Sequence, residues 1–388
     1  MVSRHSHRNS TYNKTVFLMA ANPIVANLAL RPISWIYGAV TATRNQLFKW
    51  GILKQQTFDV PIIVVGNIAV GGTGKTPHTE FVVDIMRHKY NVAVISRGYK
   101  RATSGFVLAS RRSSPVDIGD EPYQIYHKFD GKVPVAVCES RTQGIQKLLS
   151  LNPRINLIVL DDAYQHRYVR PTVSIVLTEF NRPAFYDKLL PLGRLREPFS
   201  SIYRADMVVV TKCPPDIRPL EYRLFKDKLK LIAYQKLYFS SYIYGELSPV
   251  FPDDVDLNDM PRMAWLNEND SVLAVAGIAH PRPFAKWLRR HKAKVRLKSF
   301  PDHHNFQKRD LETISALYTQ LPDTGRKIVV TTEKDAVRLA NNPYYPPELK
   351  SVTFYIPIKV KMDEGRSQSF STDLERLIAR ANTANRLS

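Results

Sequence analysis

The sequence predicts an α/β protein, with a first part built on a mostly parallel sheet covered by helices on both faces and a smaller second α/β part. From residue 60 onward, short runs of β-branched residues alternate with longer helical stretches. The short runs are dense in Val and Ile and do not alternate with polar residues, which is typical of strands buried on both faces. A chain of 388 residues with 44% hydrophobic content is long enough for about two such domains.

Six strands are predicted in the first part. In chain order they are PIIVVG (61–66), NVAVIS (91–96), VPVAV (133–137), INLIVL (155–160), VSIVLT (173–178) and MVVVT (207–211). A helix is predicted after the first strand, because Phe81 and Ile85, and likewise Val82 and Met86, are four residues apart.

A polar, less periodic stretch follows at residues 215–270, with Tyr-rich strand-like pieces and an acidic segment, and it is interpreted as a connector. The α/β pattern then resumes. Its predicted elements are SVLAVAG (271–277), a helix at about 283–291, KIVVTT (327–332) and VTFYIP (352–357). These elements predict a second, smaller α/β domain.

Basic residues outnumber acidic ones, at 56 Lys and Arg against 35 Asp and Glu, for a net charge of +21. Such an excess favours contact with nucleic acid, phosphorylated ligands or anionic lipid headgroups. The two cysteines, Cys138 and Cys213, are far apart and lack Cys-x-x-Cys spacing, so neither a disulfide framework nor a thiolate metal site is predicted. A reducing cytosol is the simplest location.

The N-terminal region has no run of 18 or more apolar residues, so the sequence predicts no transmembrane helix. Residues 16–30 resemble a signal-peptide core, but Asn22, Pro23 and Asn27 interrupt it, and export is not favoured. Residues 31–54 place apolar side chains at roughly helical spacing among four basic residues. This pattern fits an amphipathic helix on a membrane surface and equally a helix packed on a domain.

The strongest local signal is VVGNIAVGGTGKTP, where a predicted strand leads through a glycine-rich turn into a helix. Its glycines allow successive N–H groups to face an anion, while Lys75 would reach the β- and γ-phosphates and Thr76 would bind Mg²⁺. The predicted nucleotide-binding residues are Ala69, Val70, Gly71, Gly72, Thr73, Gly74, Lys75 and Thr76. Ala69 stands where the usual pattern has its first Gly, and the Gly71–Gly72 pair is expected to supply the flexibility. A glycine-rich turn without a ligand is the alternative.

A phosphate-binding loop that holds ATP also needs a carboxylate for the metal at the end of a neighbouring strand. Asp161 and Asp162 directly follow the apolar strand INLIVL, which would bring at least one of them to the carboxyl edge of the sheet. Adjacent acids also end strands as simple turn formers, which is the alternative for this pair.

Three further segments could converge on the same edge of the sheet: ISRGYKR, GDEP and LLPLGRLREP. Asp120 could accept a proton from a hydroxyl nucleophile, and Arg97, Arg194 and Arg196 could neutralise phosphates. Asp120 is also a plausible helix cap, with Pro122 in the first turn.

The segment SFPDHHNF contains Asp302 and His303 before a polar helix. Further ligands at metal spacing do not follow, so a zinc site is not predicted. A histidine paired with a carboxylate across a cleft could orient a base or take part in proton transfer, whereas a solvated loop histidine is the alternative. TTEKDAVRL is interpreted as a strand end, a cap at Thr332 and a helix.

Taken in order, seven segments resemble the motif series of the tetraacyldisaccharide 4′-kinases of lipid A biosynthesis. They are GNIAVGGTGKTP, ISRGYKR, GDEP, DDAYQHR, LLPLGRLREP, FPDHHNF and TTEKDAVR. The resemblance implies transfer of the ATP γ-phosphate to the 4′-hydroxyl of tetraacyldisaccharide 1-phosphate, giving lipid IVA. It also implies a peripheral or monotopic enzyme at the cytoplasmic face of the bacterial inner membrane.

The resemblance further implies a P-loop-type, three-layer α/β/α domain and a second, smaller α/β domain joined by a short, two-stranded β linker. The expected division is 1–57 for a tail and an amphipathic membrane-associated helix, 58–230 for the P-loop kinase domain, 231–270 for the linker and 271–388 for the C-terminal domain. The start LRPISWIYG resembles the family's membrane-associated helix, which favours the membrane interpretation of residues 31–54.

Site roles are implied residue by residue, with ATP and Mg²⁺ as cofactors. Lys75 and Thr76 match the phosphate-loop positions, and Asp161 and Asp162 match the metal-side acids. Asp120 and His303 match the proton-accepting pair, so that Asp120, His303 and Lys75 form the expected catalytic set. The further active-site positions are Arg97, His166, Arg196, Glu197 and Asp302. Ala163 replaces the family's Gly, which suggests that this position needs no positive φ.

The implied partners are the lipid substrate and an anionic membrane surface, which the basic chain would contact. Neither nucleic acid nor an obligate protein partner is predicted. Two alternatives remain open, namely a P-loop kinase of a soluble sugar or nucleoside and a P-loop nucleic-acid-binding or switch protein. The sequence shows no aromatic-interleaved basic stripe that would favour the second.

Overall fold

The computed structural model describes residues 23–256, 260–302, 304–363 and 366–387. Within them the chain forms a nine-stranded and a five-stranded sheet, both flanked by helices. The predicted α/β fold, with a larger and a smaller part, is confirmed.

The larger sheet is parallel through most of its width. Its first eight strands in the chain are β1 (Ile62–Asn67), β2 (Val92–Ser96), β3 (Val107–Leu108), β4 (Val135–Val137), β5 (Leu157–Asp161), β6 (Val173–Glu179), β7 (Met207–Thr211) and β8 (Lys236–Tyr244). They lie in the order β8-β7-β6-β1-β5-β2-β4-β3, and β3 is antiparallel to its neighbour. The helices of this part are α1 (Pro23–Lys49), α2 (Lys75–Met86), α3 (Pro115–Ile118), α4 (Asp120–Lys128), α5 (Arg141–Leu151) and α6 (Pro219–Leu229).

Strand β1 lies in the middle of this sheet and explains the unbroken apolar runs of the sequence. Ile62 and Val64 pack into the core on one face of the sheet, and Ile63 and Val65 pack into the core on the other. Every second residue points to the opposite face of a strand, so burial of both faces requires apolar residues throughout. Parallel pairing with β5 brings Val65 beside Asp161 at the carboxyl edge.

The smaller sheet has the order β11-β10-β12-β13-β9. Its strands are β9 (Ser248–Pro249), β10 (Ser271–Ala276), β11 (Lys294–Ser299), β12 (Lys327–Thr332) and β13 (Thr353–Ile356), and its helices are α7 (Arg282–Leu288), α8 (Lys308–Thr319), α9 (Glu333–Ala340) and α10 (Pro347–Lys350). Short 3-10 turns occupy Ala184–Tyr186, Phe199–Arg204, Pro252–Asp254, Met263–Trp265 and Arg289–His291.

The chain returns to the larger part after β13, which differs from the expected assignment of residues 271–388 to one C-terminal unit. Strand β14 (Ile358–Met362) pairs antiparallel with β8, and helix α11 (Ser367–Leu387) buries Phe370 against the core of the larger sheet. The stretch expected to be a connector also contains α6 and β8, and β8 extends the large sheet beside β7 because Tyr238 and Phe239 are buried there.

Helix α1 packs one face on the larger part and exposes the other. Ser34 Oγ donates a hydrogen bond to the Leu189 carbonyl at 3.0 Å, and Tyr37 Oη donates to the Arg196 carbonyl at 2.9 Å. The exposed face carries the large apolar side chains of Ile33, Trp35, Ile36 and Val40. In the part of the chain that the structure describes, none of the helices has the length and apolar character needed to cross a membrane.

Candidate active site

A cavity of about 2210 Å³ lies at the carboxyl ends of β1 and β5, and residues of both parts line it. The predicted site residues along its wall are Gly71, Gly72, Gly74, Lys75, Thr76, Arg97, Asp162, His166, Arg196, Glu197 and Asp302. Ala69, Val70, Thr73, Asp120 and Asp161 are not part of the wall. The cavity therefore brings together most of the segments that were expected to converge on this edge.

The glycine-rich loop has backbone angles that favour glycine, with φ of 108° at Gly71 and 89° at Gly74. Gly74 occupies the N-cap position of α2, and Lys75 and Thr76 form the first turn of that helix. Thr73 anchors the loop, because its Oγ1 accepts a hydrogen bond from Asn67 Nδ2 at 2.6 Å. A glycine turn at a helix N-terminus of this kind directs backbone N–H groups at an anion.

The start of the loop lies against a second segment. Val70 N–H donates to the Arg194 carbonyl at 2.7 Å, and Arg196 N–H donates to the Ile68 carbonyl at 2.7 Å. Ala69 forms an antiparallel bridge with Leu195 between these two bonds. Because Ala69 has no positive φ, this position does not need the glycine of the usual pattern.

Two adjacent acids lie at the end of β5: Asp161 is its last residue, and Asp162 follows it and faces the loop. Asp162 Oδ2 lies 3.7 Å from Lys75 Nζ, and Arg196 Nη1 lies 3.3 Å from Asp162 Oδ1. Asp162 has a positive φ of 45°. Ala163 has no positive φ, as expected for an Ala in the place of the family's Gly.

Asp161 is the buried member of this acidic pair. Its Oδ1 accepts a hydrogen bond from Thr79 Oγ1 at 2.7 Å, and its Oδ2 has no hydrogen-bond partner among the described residues. Burial, and next the negative charge of Glu121, raise the pKa of Asp161 to about 7. The carboxylate thus sits where a nearby cation would stabilise its charged form.

Asp120 is the first residue of α4, and Glu121 after it lines the cavity. Arg338 of the smaller part donates from Nε at 2.9 Å and from Nη2 at 2.6 Å to Asp120 Oδ2. The segment GDEP is thus a helix start, as one interpretation held, with Gly119 rather than Asp120 in the N-cap position.

His303 lies outside the described residues. Oδ1 of its neighbour Asp302 lies 4.0 Å from Lys334 Nζ. His304 is bonded through Nε2 to Asp310 Oδ2 at 2.8 Å at the start of α8.

Comparisons with known proteins decide the family. The model of the tetraacyldisaccharide-1-P 4′-kinase family matches residues 26–379. The chain belongs to this family. Curated relatives named tetraacyldisaccharide 4′-kinase include those of Bacteroides thetaiotaomicron, 46% identical over 92% of this chain and 94% of the relative, and Bacteroides fragilis, 45% identical over 95% and 97%. The crystal structure of LpxK from Aquifex aeolicus in complex with ATP is similar with a TM-score of 0.68 at 27% identity, covering 91% of this chain and 99% of that one.

His166 and Glu197, two further predicted site residues, lie where α1 meets the cavity. His166 Nε2 is buried and has no partner among the described residues. Burial, aided by the positive charges of Arg141, Arg44 and Arg97, lowers the pKa of His166 to about 4, so its ring is neutral near pH 7.

Glu197 is 2% exposed and is bonded to two elements, helix α1 and the 3-10 turn Phe199–Arg204. Its Oε2 accepts hydrogen bonds from Asn45 Nδ2 of α1 at 3.2 Å and from Arg204 Nη2. Glu197 therefore fixes α1 to the wall of the cavity.

Sequence reasoning missed several residues in and around this cavity. They are Asn45, Thr79, Arg141, Glu179, Lys212 and Arg338. Lys212 Nζ lies 2.5 Å from Glu179 Oε1 beside the glycine loop, and Arg338 reaches Asp120 from a distant helix. Arg338 belongs to the segment TTEKDAVR, which was interpreted as a helix cap and as one of the seven family-like segments, with no role given to Arg338 itself. The cap is present, because Thr332 Oγ1 accepts from Asp335 N–H at 3.2 Å.

Proposed function

We propose that this protein is an ATP-dependent kinase that phosphorylates the 4′-hydroxyl of tetraacyldisaccharide 1-phosphate in lipid A biosynthesis. One observation carries the proposal: in a chain of this family, the acidic pair at the end of β5 lies beside the loop Gly71–Thr76, with Asp162 3.7 Å from Lys75 at the cavity wall and Asp161 buried against Thr79 of α2. A glycine loop at a helix N-terminus opposite carboxylates is the arrangement that phosphoryl transfer from a nucleoside triphosphate requires.

The loop Ala69–Thr76 binds the phosphates of ATP in this proposal. The backbone turn at Gly71 and Gly74 and the N-terminus of α2 supply partial positive charge, and Lys75 supplies a full one. Lys75 already lies at the cavity wall beside Asp162, which supports its assignment to the γ-phosphate side.

The residues present fit a magnesium ion. Asp161 Oδ2 is a buried oxygen without a hydrogen-bond partner among the described residues, and Asp162 and Thr76 present oxygens at the cavity wall. One or two carboxylates are a sufficient protein contribution, because Mg²⁺ commonly takes them together with phosphates and water. When bound, it would neutralise charge on the phosphate oxygens.

Asp120 accepts the proton of the 4′-hydroxyl as its oxygen attacks the γ-phosphorus. The new bond joins the sugar oxygen to phosphorus, the bond from phosphorus to the β-phosphate oxygen breaks, and ADP leaves. His303, which matches the family's pairing, is assigned to assist this proton transfer. Arg97 and Arg196 neutralise phosphate charge at the wall, and His166, Glu197 and Asp302 complete the site.

Helix α1 holds the enzyme at the cytoplasmic face of the inner membrane in this proposal. Trp35 is 73% exposed and Ile36 is 66% exposed, so no other part of the described chain buries these two side chains. The net charge of +21 favours an anionic lipid surface, and apolar side chains on a surface helix insert into its interface.

An assay with γ-labelled ATP and two acceptors tests the proposal. One acceptor is tetraacyldisaccharide 1-phosphate and the other is the same disaccharide without acyl chains. We expect label in the lipid, at the 4′ position. Label in the soluble disaccharide alone would indicate a soluble-sugar kinase, and absence of label in both would remove the kinase assignment.

A further inference from the structure

Helices α4 and α9 pack against each other across the boundary between the two parts. Asp120 begins α4, and Arg338 lies in the last turn of α9. The Arg338 side chain is 8% exposed, and both of its bonds to Asp120, at 2.9 and 2.6 Å, end on Oδ2. A guanidinium that donates twice to one carboxylate fixes the position of that group more tightly than a single bond does.

The guanidinium is itself held in place by a buried acid. Asp335 is fully buried, and its Oδ1 accepts from Arg338 Nη1 at 3.2 Å. Its Oδ2 accepts from the Gly277 N–H at 2.8 Å and from Thr332 Oγ1 at 2.7 Å. Gly277 follows β10 and Thr332 ends β12, so the smaller sheet sets the direction of the Arg338 side chain.

Two further contacts fix how α4 lies along α9. Near Asp120, Lys334 Nζ lies 3.8 Å from Glu121 Oε1. At the other end of α4, Lys128 Nζ lies 3.0 Å from Glu333 Oε1. With ion pairs at both ends, a shift of α9 along α4 would break several charged contacts at once.

We infer that Arg338 is a positioning residue for the Asp120 carboxylate, so that a side chain of the smaller part orients the proton acceptor of the larger part. The inference rests on the proposed function, in which Asp120 accepts the sugar proton. Displacement of a reacting group by about 1 Å can cost roughly 10²-fold in rate, so a residue that only orients the carboxylate has a large effect on turnover. A lysine cannot reproduce the fork of donors that reaches both Asp120 and Asp335.

The test compares Arg338→Met, Arg338→Lys and the matched control Arg296→Met by steady-state kinetics with labelled ATP and tetraacyldisaccharide 1-phosphate. Arg296 lies on β11 and donates to Gln320 Oε1 at 3.1 Å, away from α4. We expect Arg338→Met to lower kcat about 10²-fold while the KM for ATP changes less than about threefold. Arg338→Lys should retain more activity than Arg338→Met, and Arg296→Met should match the wild type.

Added methylguanidinium should restore part of the kcat of Arg338→Met and leave Arg296→Met unchanged, which a merely structural role would not produce. Wild-type kcat in Arg338→Lys would overturn the inference even if Arg338→Met failed to fold. A folded Arg338→Met with unchanged kcat, or with no response to methylguanidinium, would overturn it as well. Failure of the wild type to label the lipid would instead remove the proposed function and this inference with it.

Discussion

The Lys75 ammonium group lies 3.7 Å from the Asp162 carboxylate. The contact joins the first residue of α2 to the residue after β5, and it exists because β1 and β5 are parallel neighbours whose carboxyl ends meet. Asp162 also lies 3.3 Å from Arg196, so one acid balances two cations at the wall of the cavity. Anionic phosphates entering here would meet both cations.

Replacement of Lys75 by Met should lower lipid phosphorylation roughly 10²–10³-fold, because an electrostatic donor to the transferring group is lost. Asp162 keeps its contact with Arg196, so the fold should be retained. The control is Lys132→Met, since Lys132 is 74% exposed and pairs only loosely with Asp130 at 3.4 Å. Labelled-ATP kinetics and thermal melting measure the two effects, and an active Lys75→Met would contradict the assignment.

Replacement of Asp120 by Asn should lower kcat roughly 10²–10⁴-fold, because the amide cannot accept the hydroxyl proton. The KM for ATP should change little, since Asp120 is not part of the glycine-rich loop that binds the phosphates. Asp84→Asn is the matched control, because Asp84 pairs with Arg87 on the exposed side of α2. A wild-type kcat in Asp120→Asn would exclude Asp120 as the base and with it the positioning role of Arg338, and would leave the roles of Lys75 and the acidic pair unaffected.

The parts of the site that the sequence predicts are those encoded by contiguous residues. A strand, a glycine turn and a helix start identify the loop at Gly71–Thr76, and the two acids follow an apolar run directly. The rule that parallel strands expose their carboxyl ends at one edge then brings both segments together.

The contacts that the sequence does not predict join distant segments. Arg338 and Asp120 belong to helices of different parts, and no local pattern states that these helices pack together. The sequence does not predict the return of β14 and α11 to the larger sheet either, because the residues of a strand do not by themselves determine which sheet it joins. The Tyr-rich pattern of β8 indicated a strand but not its place in the nine-stranded sheet.

Replacement of Gly74 by Ala should weaken ATP binding at least about tenfold, or about 1.4 kcal/mol. Its φ of +89° strains an L residue, and an added Cβ would lie 1.9 Å from Tyr242 Oη. Gly51→Ala is the control, because Gly51 has a φ of +74° with no atom within 4 Å of its added Cβ. The double variant Gly74→Ala/Tyr242→Phe should recover part of the affinity. Equal ATP affinities for the two Ala variants would contradict the close contact.

Replacement of Trp35 and Ile36 by Glu should weaken binding to anionic phospholipid vesicles at least about tenfold, because each buried apolar side chain contributes about 1.5–3 kcal/mol. Co-sedimentation with the vesicles measures the binding. Raised salt should also weaken binding of the wild type, because salt screens the attraction between basic side chains and anionic lipid. Trp265→Glu is the control, since Trp265 is 58% exposed on the smaller part. Equal sedimentation of wild type and the α1 variant would show that α1 only packs on the domain.

Replacement of Glu80 by Gln should change how stability depends on pH. Glu80 lies on α2, is 4% exposed, and receives hydrogen bonds from Gln124 and Lys128 at 2.8 and 2.6 Å. Burial raises its pKa from 4.5 to about 7, against the opposing charge of Lys128 and with a smaller contribution from Glu333. Burial lowers the pKa of Lys128, but the neighbouring carboxylates Glu80 and Glu333 raise it overall, so Lys128 stays protonated over this range.

Between pH 4.5 and 7 the folded chain keeps a proton on Glu80 that the unfolded chain has released, so Glu80 lowers the free energy of unfolding as pH rises through this window. Asp161, whose pKa is also raised to about 7, acts in the same direction, so the wild-type slope contains both groups. Urea titrations from pH 4.5 to 8 should therefore give a flatter pH dependence for Glu80→Gln than for the wild type. The surface control Glu375→Gln, whose Lys89 partner is 60% exposed, should keep the wild-type slope. A Glu80→Gln curve parallel to the wild type would show that Glu80 does not hold its proton in the folded chain.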